Sequence, residues 1–355
     1  MKKSMLIITL CTIIAAGCGA PKEETTKSDL LKPELLFTLA DQYDSPDGMT
    51  IGKDGNIYLA MNCAGKDFKF ANHAKIMRIT ADDKLEEVGT LPPHPETKVA
   101  SPLGIVFGPD GSLYICDNQA FAGGTKKSRV LRMTIEDGKA VKTEVLVEGL
   151  QMANGIAVRG GSLYVNETAI DPEAKPMISG VYRFKFSELD PANVIKVTGS
   201  DDPHLFLKVE TDYPNDLMKV GANGIDFDSK GNMYVCNFGE AAVIKATFKE
   251  DGTIDKVSNL CKGQGIESSD GCHIDQNDDL WVADFMGNAI VKVCTKSGDV
   301  TIVAKNEPGD GKDGALDAPS ECIRRGNKVY VSNIDITYGP NAYDELQTMS
   351  VINLE

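Results

Sequence analysis

The stretch "ANGIDFDSKGNMYVC", residues 222–236, decides the fold because the chain repeats its pattern six times. An apolar–polar alternation leads into a turn containing glycine, and a second short strand, Met233 to Cys236, leads out of it. The turn glycine supplies the positive φ that a tight hairpin requires. Each copy therefore predicts two antiparallel strands joined by a tight turn.

The six copies share a turn rich in Asp, Asn and Gly and an aromatic residue, Tyr or Trp, at a fixed place in the second strand. They begin at Pro46, Pro102, Ala153, Ala222, Ser269 and Pro319, with spacings of 56, 51, 69, 47 and 50 residues. A third strand such as "KIMRIT" (75–80) follows most copies, and a fourth apolar run often comes next. Four antiparallel strands about every 50 residues predict an all-β, six-bladed β-propeller.

The two ends of the repeat region predict how the ring closes. The sixth copy is followed by only one further strand, "MSVINL" (349–354), so its blade lacks an outer strand. The segment "ELLFTLA" (34–40) precedes the first copy and can supply that strand. An N-terminal strand that completes the last blade removes the open sheet edges of an unclosed array. An open array or a β-sandwich is the alternative.

The N-terminal region predicts export. A basic start, an apolar run and "AAGC" resemble a lipoprotein signal peptide over residues 1–18, with Cys18 as the lipidated residue. An ordinary signal peptide is the alternative. A flexible tether over 19–33 and a single propeller over 34–355 follow. We expect a protein anchored to the bacterial cell envelope, on its periplasmic or surface side.

Composition limits the partners. The 355-residue chain has a formal charge of −15, which argues against nucleic acid and against membrane contact other than through the lipid anchor. Its nine cysteines form no CxxC pair and favour small buried strand residues over a disulfide framework or a zinc site. We expect a small-molecule substrate and leave the oligomeric state open.

The second residue of each copy is the candidate site. In a propeller the first strand of each blade lines the central channel, so residues at its start form a ring around one mouth. These residues are Asp47, Leu103, Asn154, Asn223, Asp270 and Ser320. Four of them carry carboxylate or amide oxygens, which suit one central Ca²⁺ or another divalent cation and leave places for water and substrate. The alternative is that Asp-Gly and Asn-Gly simply make turns.

Two copies carry a family resemblance. "ANGIDFDSKGNMYVC" (222–236) and "SDGCHIDQNDDLWVADFMGNAIVKV" (269–293) resemble blades four and five of the SMP-30/gluconolactonase/LRE-like family, and more distantly of diisopropyl fluorophosphatase and paraoxonase. The resemblance implies a six-bladed propeller around a Ca²⁺ held by Asp47, Asn154, Asn223 and Asp270. The chain departs from the family in carrying Asp47 where a glutamate is usual. It also lacks the arginine that sugar lactonases place before the third-blade Asn.

The resemblance and the oxygen ring together predict a calcium-dependent hydrolase of a lactone or related ester. The ion would polarise the carbonyl, and Asp270 would activate water as a general base or attack directly. A non-catalytic exported propeller that binds a sugar or a protein is the alternative.

Further residues are expected around the site. Glu321, which stands where the other copies have glycine, and Asn118 are expected as substrate contacts at the mouth, and His273 as a core residue. The residues three places after the repeat aromatic are expected to cap loops; they are Asp117, Glu167, Asn237, Asp284 and Asn333. The long third unit is expected to place "ETAIDPEAKPMISG" (167–180) and "SDDPHLF" (200–206) over a mouth.

Overall fold

The structure is a computed structural model that describes residues 30–70, 72–212 and 220–354. Six antiparallel sheets surround a central channel, and the inner strand of each sheet packs against the inner strands of its two neighbours. The predicted six-bladed propeller is therefore confirmed. Cys18, the signal peptide and all of the tether up to residue 29 lie outside the described residues, so the lipid anchor remains a prediction.

The strands of the first three blades run outward from the channel in chain order, except that the short strand Ile195–Lys196, which precedes the last strand of blade three in the chain, joins the outer edge of blade two. After β1 (Glu34–Thr38) they are β2 (Pro46–Ile51), β3 (Ile57–Met61), β4 (Lys75–Ile79) and β5 (Leu85–Thr90); β6 (Pro102–Phe107), β7 (Leu113–Asp117), β8 (Ser128–Glu136) and β9 (Lys139–Leu150); and β10 (Ala153–Arg159), β11 (Ser162–Asp171), β12 (Met177–Lys185), the short β13 (Ile195–Lys196) and β14 (Leu205–Thr211).

Blades four to six follow the same order. Their strands are β15 (Ala222–Phe227), β16 (Met233–Asn237), β17 (Ala242–Phe248) and β18 (Ile254–Lys262); β19 (Cys272–Ile274), β20 (Asp279–Asp284), β21 (Ala289–Cys294) and β22 (Val300–Lys305); and β23 (Pro319–Arg325), β24 (Lys328–Asn333) and β25 (Thr348–Asn353). Short 3-10 turns lie at Lys66–Phe68, Ala120–Ala122, Phe186–Glu188, Phe238–Glu240 and Lys312–Gly314. Within the described ranges no helix is long and apolar enough to cross a membrane.

The ring closes through the N-terminal strand. β1 pairs with β25, so the sheet of blade six reads β1-β25-β24-β23 and the predicted closure is confirmed. A polar cluster joins blade six to blade one: Arg325 and Lys328 contact the carboxylate of Asp83, between β4 and β5, at 2.7 and 2.6 Å. Burial by itself would raise the pKa of Asp83, but hydrogen bonds from Lys328 and Tyr330 outweigh burial and lower it. These contacts stabilise the junction between the first and last blades.

In four of the six copies the repeat aromatic is fixed by the turn that precedes it. Tyr58, Tyr114 and Tyr234 donate their hydroxyls to turn aspartates, and Trp281 Nε1 donates to Asp275 at 2.9 Å. The same aspartates accept backbone N–H groups inside the turn, which holds the hairpin conformation. The aromatic ring packs between neighbouring blades, so one side chain joins the turn to the apolar core.

The cysteines behave as the sequence predicts. The seven cysteines within the described residues are unpaired, and six of them are buried. Cys236 and Cys272 belong to the apolar cluster between blades four and five. They therefore serve as small apolar side chains where neighbouring sheets pack closely.

Glycines set the distance between neighbouring inner strands. In blades one to five a glycine follows the ring residue and lies against the backbone of the next blade. A Cβ added at Gly155 would lie 2.2 Å from the carbonyl oxygen of Asn223, and one at Gly104 would lie 2.5 Å from that of Asn154. The backbone N–H of Gly224 also donates to the Asp270 carbonyl at 3.0 Å. The inner strands therefore touch through their backbones, which only glycine permits.

Replacing Gly155 with alanine should destabilise the protein by at least about 2 kcal/mol, because the added methyl group overlaps backbone atoms that cannot rotate away. Urea unfolding followed by circular dichroism measures the change. Gly309→Ala is the matched control, since a Cβ there would meet only the Glu307 carbonyl oxygen at 3.9 Å. Equal stability of the two variants would contradict the role assigned to Gly155.

Candidate metal centre

The six ring residues line one cavity at the mouth of the channel. The cavity opens to solvent, and together with this open space its volume is about 460 Å³. Asp47, Asn154, Asn223 and Asp270 supply oxygens to this cavity, and Leu103 and Ser320 complete the ring. The structure therefore brings the four predicted ligands together.

An irregularity in the inner strands orients these side chains. The pairing between the first and second strands shifts register around the ring residue in five of the six blades. In blade five the regular pairing of β19 begins only at Cys272, after Asp270 and Gly271. Such irregularities change the direction of a side chain relative to the sheet. The ring residues consequently lie on the cavity rather than within a blade.

The two ring carboxylates occupy an unfavourable electrostatic environment. Burial raises the pKa of Asp47 to about 7, and a hydrogen bond with Ser320 opposes this only in part. Burial and the nearby charge of Asp47 raise the pKa of Asp270 well above its usual value, although a hydrogen bond with Asn223 opposes them. Two buried like charges repel each other unless a positive charge lies between them.

The chemistry of the lining indicates what could compensate these charges. No lysine, arginine or histidine occurs among the described residues that line the cavity. The candidate ligands are all oxygens, which hard cations such as Ca²⁺ prefer. Asp47, Asn154, Asn223 and Asp270 therefore fit a divalent cation.

One wall of the cavity is apolar and was not anticipated from the sequence. Phe238, Phe285 and Tyr338 form an aromatic cluster with ring centroids 5.6–6.0 Å apart. Val220, Ile334 and Ile336 extend this wall. Phe238 and Phe285 follow the repeat aromatic by four residues, so the repeat contained a signal for them. Tyr338 lies in an irregular loop and has no counterpart in the other copies.

The two expected substrate contacts lie elsewhere. Glu321 is one residue beyond the ring and lines a second cavity in the channel, beyond the glycines, so the expectation that it faces the mouth is wrong. Asn118 is buried, accepts a hydrogen bond from the Ala120 N–H at 2.8 Å and does not line the mouth. His273 also lines the second cavity, where its Nδ1 lies 3.4 Å from Asp226, so it is not a core residue.

Four of the five predicted capping residues hold loops. Asp117, Glu167 and Asp284 accept backbone N–H groups from the loop that enters the inner strand of their own blade, and Asn333 accepts the Asp317 N–H at 3.1 Å. These four side chains fix the loops around the mouth. Asn237 instead bonds β14, the outer strand of blade three, through the Thr211 hydroxyl and the Glu210 carbonyl.

The insertion in the third unit does not shape the mouth cavity. Residues 167–171 and 177–180 extend the hairpin of β11 and β12, and no residue of "ETAIDPEAKPMISG" or "SDDPHLF" lines the cavity. The connection that includes "SDDPHLF" also carries β13, which pairs in parallel with β9 on the outside of blade two. The expectation that both stretches overhang the site is therefore wrong.

Fold and site together define a closed six-bladed propeller with a ring of oxygen donors at one mouth. Among solved structures, the chain is similar to a PQQ-bound aldose sugar dehydrogenase from Streptomyces coelicolor, with 15% identity over 91% of this chain and 98% of that chain and a TM-score of 0.57. It is similar to a gluconolactonase from Xanthomonas campestris, with 15% identity over 91% and 95% and a TM-score of 0.54. A luciferin-regenerating enzyme gives 14% identity over 92% and 95% and a TM-score of 0.56.

No protein-family model matches the chain, and no curated protein matches it. At identities of 14–15% the structural likenesses establish the fold. They confirm the propeller that the SMP-30/gluconolactonase resemblance implied. The neighbours are enzymes with different chemistries, so the site must decide the reaction.

Asp47→Asn should reduce the pH dependence of stability in metal-free buffer. A carboxyl whose folded pKa is raised to about 7, against about 3.9 in the unfolded chain, stabilises the folded state at low pH and loses this contribution as pH rises. The stability lost between pH 5 and pH 8 should be smaller in the variant by about 2 kcal/mol.

Urea unfolding at both pH values measures the difference. Asp255→Asn, which removes an exposed carboxylate from β18, should retain the wild-type dependence. If the stability of Asp47→Asn depended on pH as that of wild type does, the raised pKa assigned to the buried Asp47 carboxyl would be wrong.

Proposed function

We propose that the protein is a divalent-cation-dependent hydrolase of lactones or related esters, with Asp47, Asn154, Asn223 and Asp270 as ligands of Ca²⁺. The observation that carries the proposal is the convergence of two buried carboxylates and two amides on one cavity that has no basic lining residue in the part of the chain described. The gluconolactonase among the structural neighbours supports a lactone as the substrate class.

The cation, when bound, would polarise the substrate carbonyl and stabilise negative charge on its oxygen. Asp270 lies on the cavity and can accept a proton from the attacking water. The same carboxyl can return that proton to the leaving alkoxide, so that one ester and one water give one acid and one alcohol. Direct attack by the Asp270 carboxylate is the second route open to this residue.

The apolar wall favours an apolar substrate. Phe238, Phe285 and Tyr338 offer contact area to an acyl chain or an aryl ring. The hydroxyl groups of a sugar lactone would lose hydrogen bonds with water on this wall. Met152 also lines the cavity just before Asn154, where the sequence offers no arginine. We therefore favour an apolar lactone or an aryl ester over a polyhydroxylated sugar lactone.

The other activities seen among the structural neighbours receive less support. The PQQ-bound sugar dehydrogenase among the structural neighbours suggests an oxidoreductase, but the aromatic wall of Phe238, Phe285 and Tyr338 does not favour a sugar as the substrate. A propeller that binds a partner without catalysis remains the second candidate, since the same cavity can hold a ligand.

Asp270→Asn should lower kcat/KM for an apolar lactone or aryl ester by about 10²–10⁴-fold, because the amide cannot accept the proton of water. Hydrolysis of phenyl acetate and of a γ-lactone with an alkyl chain, each with Ca²⁺ and with chelator, measures the loss. Asp255→Asn on β18 is the control for a change of one charge far from the cavity and should keep wild-type activity.

Full activity in Asp270→Asn would refute the assigned role, and activity that chelator leaves unchanged would refute the cation. If wild type hydrolyses neither substrate nor gluconolactone in the presence of Ca²⁺, the binding protein becomes the better description.

A further inference from the structure

A second acidic site lies beside the mouth, outside the ring. Asp317 precedes β23, whereas Asp335 and Asp344 lie in the loop between β24 and β25. One carboxylate oxygen from each residue lies within 4.8 Å of the other two. Asp317 and Asp335 are each 1% exposed, and Asp344 is half-buried.

Asp317 distinguishes this group from an ordinary acidic cluster. Both of its carboxylate oxygens are buried and have no hydrogen-bond partner. None of the three residues forms an ion pair with a described basic side chain. A buried carboxylate without a partner is strongly unfavourable, and two neighbouring carboxylates increase the cost.

Other buried acids in the same fold have partners. Asp117 is fully buried, but its oxygens bind Arg129 Nε at 2.6 Å and the Ser101 N–H at 2.7 Å. Asp284 is fully buried as well and accepts N–H groups from Glu267, Ser268 and Gly287. The two buried oxygens of Asp317, which have no partner and lie near the carboxylates of Asp335 and Asp344, are therefore an exception among the buried acids of the described chain. They point to a missing positive ligand.

We propose that Asp317, Asp335 and Asp344 bind a second divalent cation, with Ca²⁺ as the best fit. All three ligands are carboxylates, which suit a hard cation, and no cysteine or histidine belongs to the group. Asp335 is held in place by Gln347 Nε2 and by the Asp344 N–H at 3.2 Å. Asp344 Oδ1 accepts the Leu346 N–H at 2.6 Å, which leaves its other oxygen for the cation.

The position of this site gives it a structural role at the mouth. Asp335 lies between Ile334 and Ile336, two residues of the apolar wall. Gln347, which holds Asp335, also accepts the Ser45 N–H at 2.9 Å, just before the inner strand of blade one. A cation bound here would join the 334–347 loop to the segment that enters β23. This cation is distinct from the ring cation, and its role would be structural rather than part of the proposed hydrolysis.

Calcium bound to the purified full chain should be counted by equilibrium dialysis and elemental analysis. Wild type is expected to bind two ions per chain, Asp317→Asn and Asp270→Asn one each, and the double variant none. Asp344→Asn is a second test of the same site and should also bind one ion. Asp313→Asn is the matched control, because Asp313 is exposed in the same segment and should leave two ions bound.

Thermal unfolding supplies a second readout, because Asp317→Asn should lose a bound ion without losing stability in metal-free buffer. In metal-free buffer Asp317→Asn should be at least as stable as wild type, because it removes an unpaired buried charge. Calcium should still raise the Tm of Asp270→Asn through the second site, and should leave the Tm of the double variant unchanged.

The outcomes separate the two cations. An ion count that Asp317→Asn and Asp344→Asn both leave at the wild-type value would overturn the second site. Loss of the only bound ion in Asp317→Asn, with no loss in Asp270→Asn, would support the second site and overturn the ring cation.

Discussion

The close approach of neighbouring inner strands determines both the fold and the site. Glycines in five blades let backbones meet at distances that any side chain would prevent. The same contacts place the residue before each glycine on a common ring, so the mouth cannot form without the closed channel. Blade six differs because Glu321 replaces the glycine. A Cβ at Gly271 would lie 2.7 Å from a Glu321 carboxylate oxygen, so this acid lies against the glycine of blade five within the channel.

The protein uses several means to accommodate buried carboxylates. Asp117 is neutralised by Arg129, whereas Glu167 accepts the Gln151 and Met152 N–H groups at 2.7 Å. Among the described residues, the ring carboxylates and Asp317 have neither a cationic side chain nor a set of backbone N–H donors around them. This contrast matters because burial alone does not indicate a ligand site; burial without sufficient donors or cations does. Burial is similar for all of these acids, and it is their hydrogen bonds and ion pairs that distinguish Asp117 and Glu167 from the candidate ligands.

The sequence predicts those features that repeat. The blades, their closure through residues 34–40 and the convergence of Asp47, Asn154, Asn223 and Asp270 follow from counting equivalent positions. The apolar wall could be predicted only in part, because Ile336 and Tyr338 come from a loop without a counterpart in other blades. Asp317, Asp335 and Asp344 belong to two loops and follow no ligand motif. The prediction for Glu321 was wrong because it lies one residue beyond the ring, at the level of the glycines, so its side chain enters the second cavity of the channel and not the mouth.

The pairing of β1 with β25 has a consequence for how the chain matures. These strands are separated by more than 300 residues, and Leu35 of β1 is 43% exposed even after pairing. During synthesis β1 emerges first and its partner emerges last, so an apolar strand edge stays available for wrong pairing through most of translation. Such long-range closure is slow, because the loop entropy is lost before any contact compensates for it. A chaperone that shields this edge until the last blade emerges would therefore act on the step most exposed to aggregation.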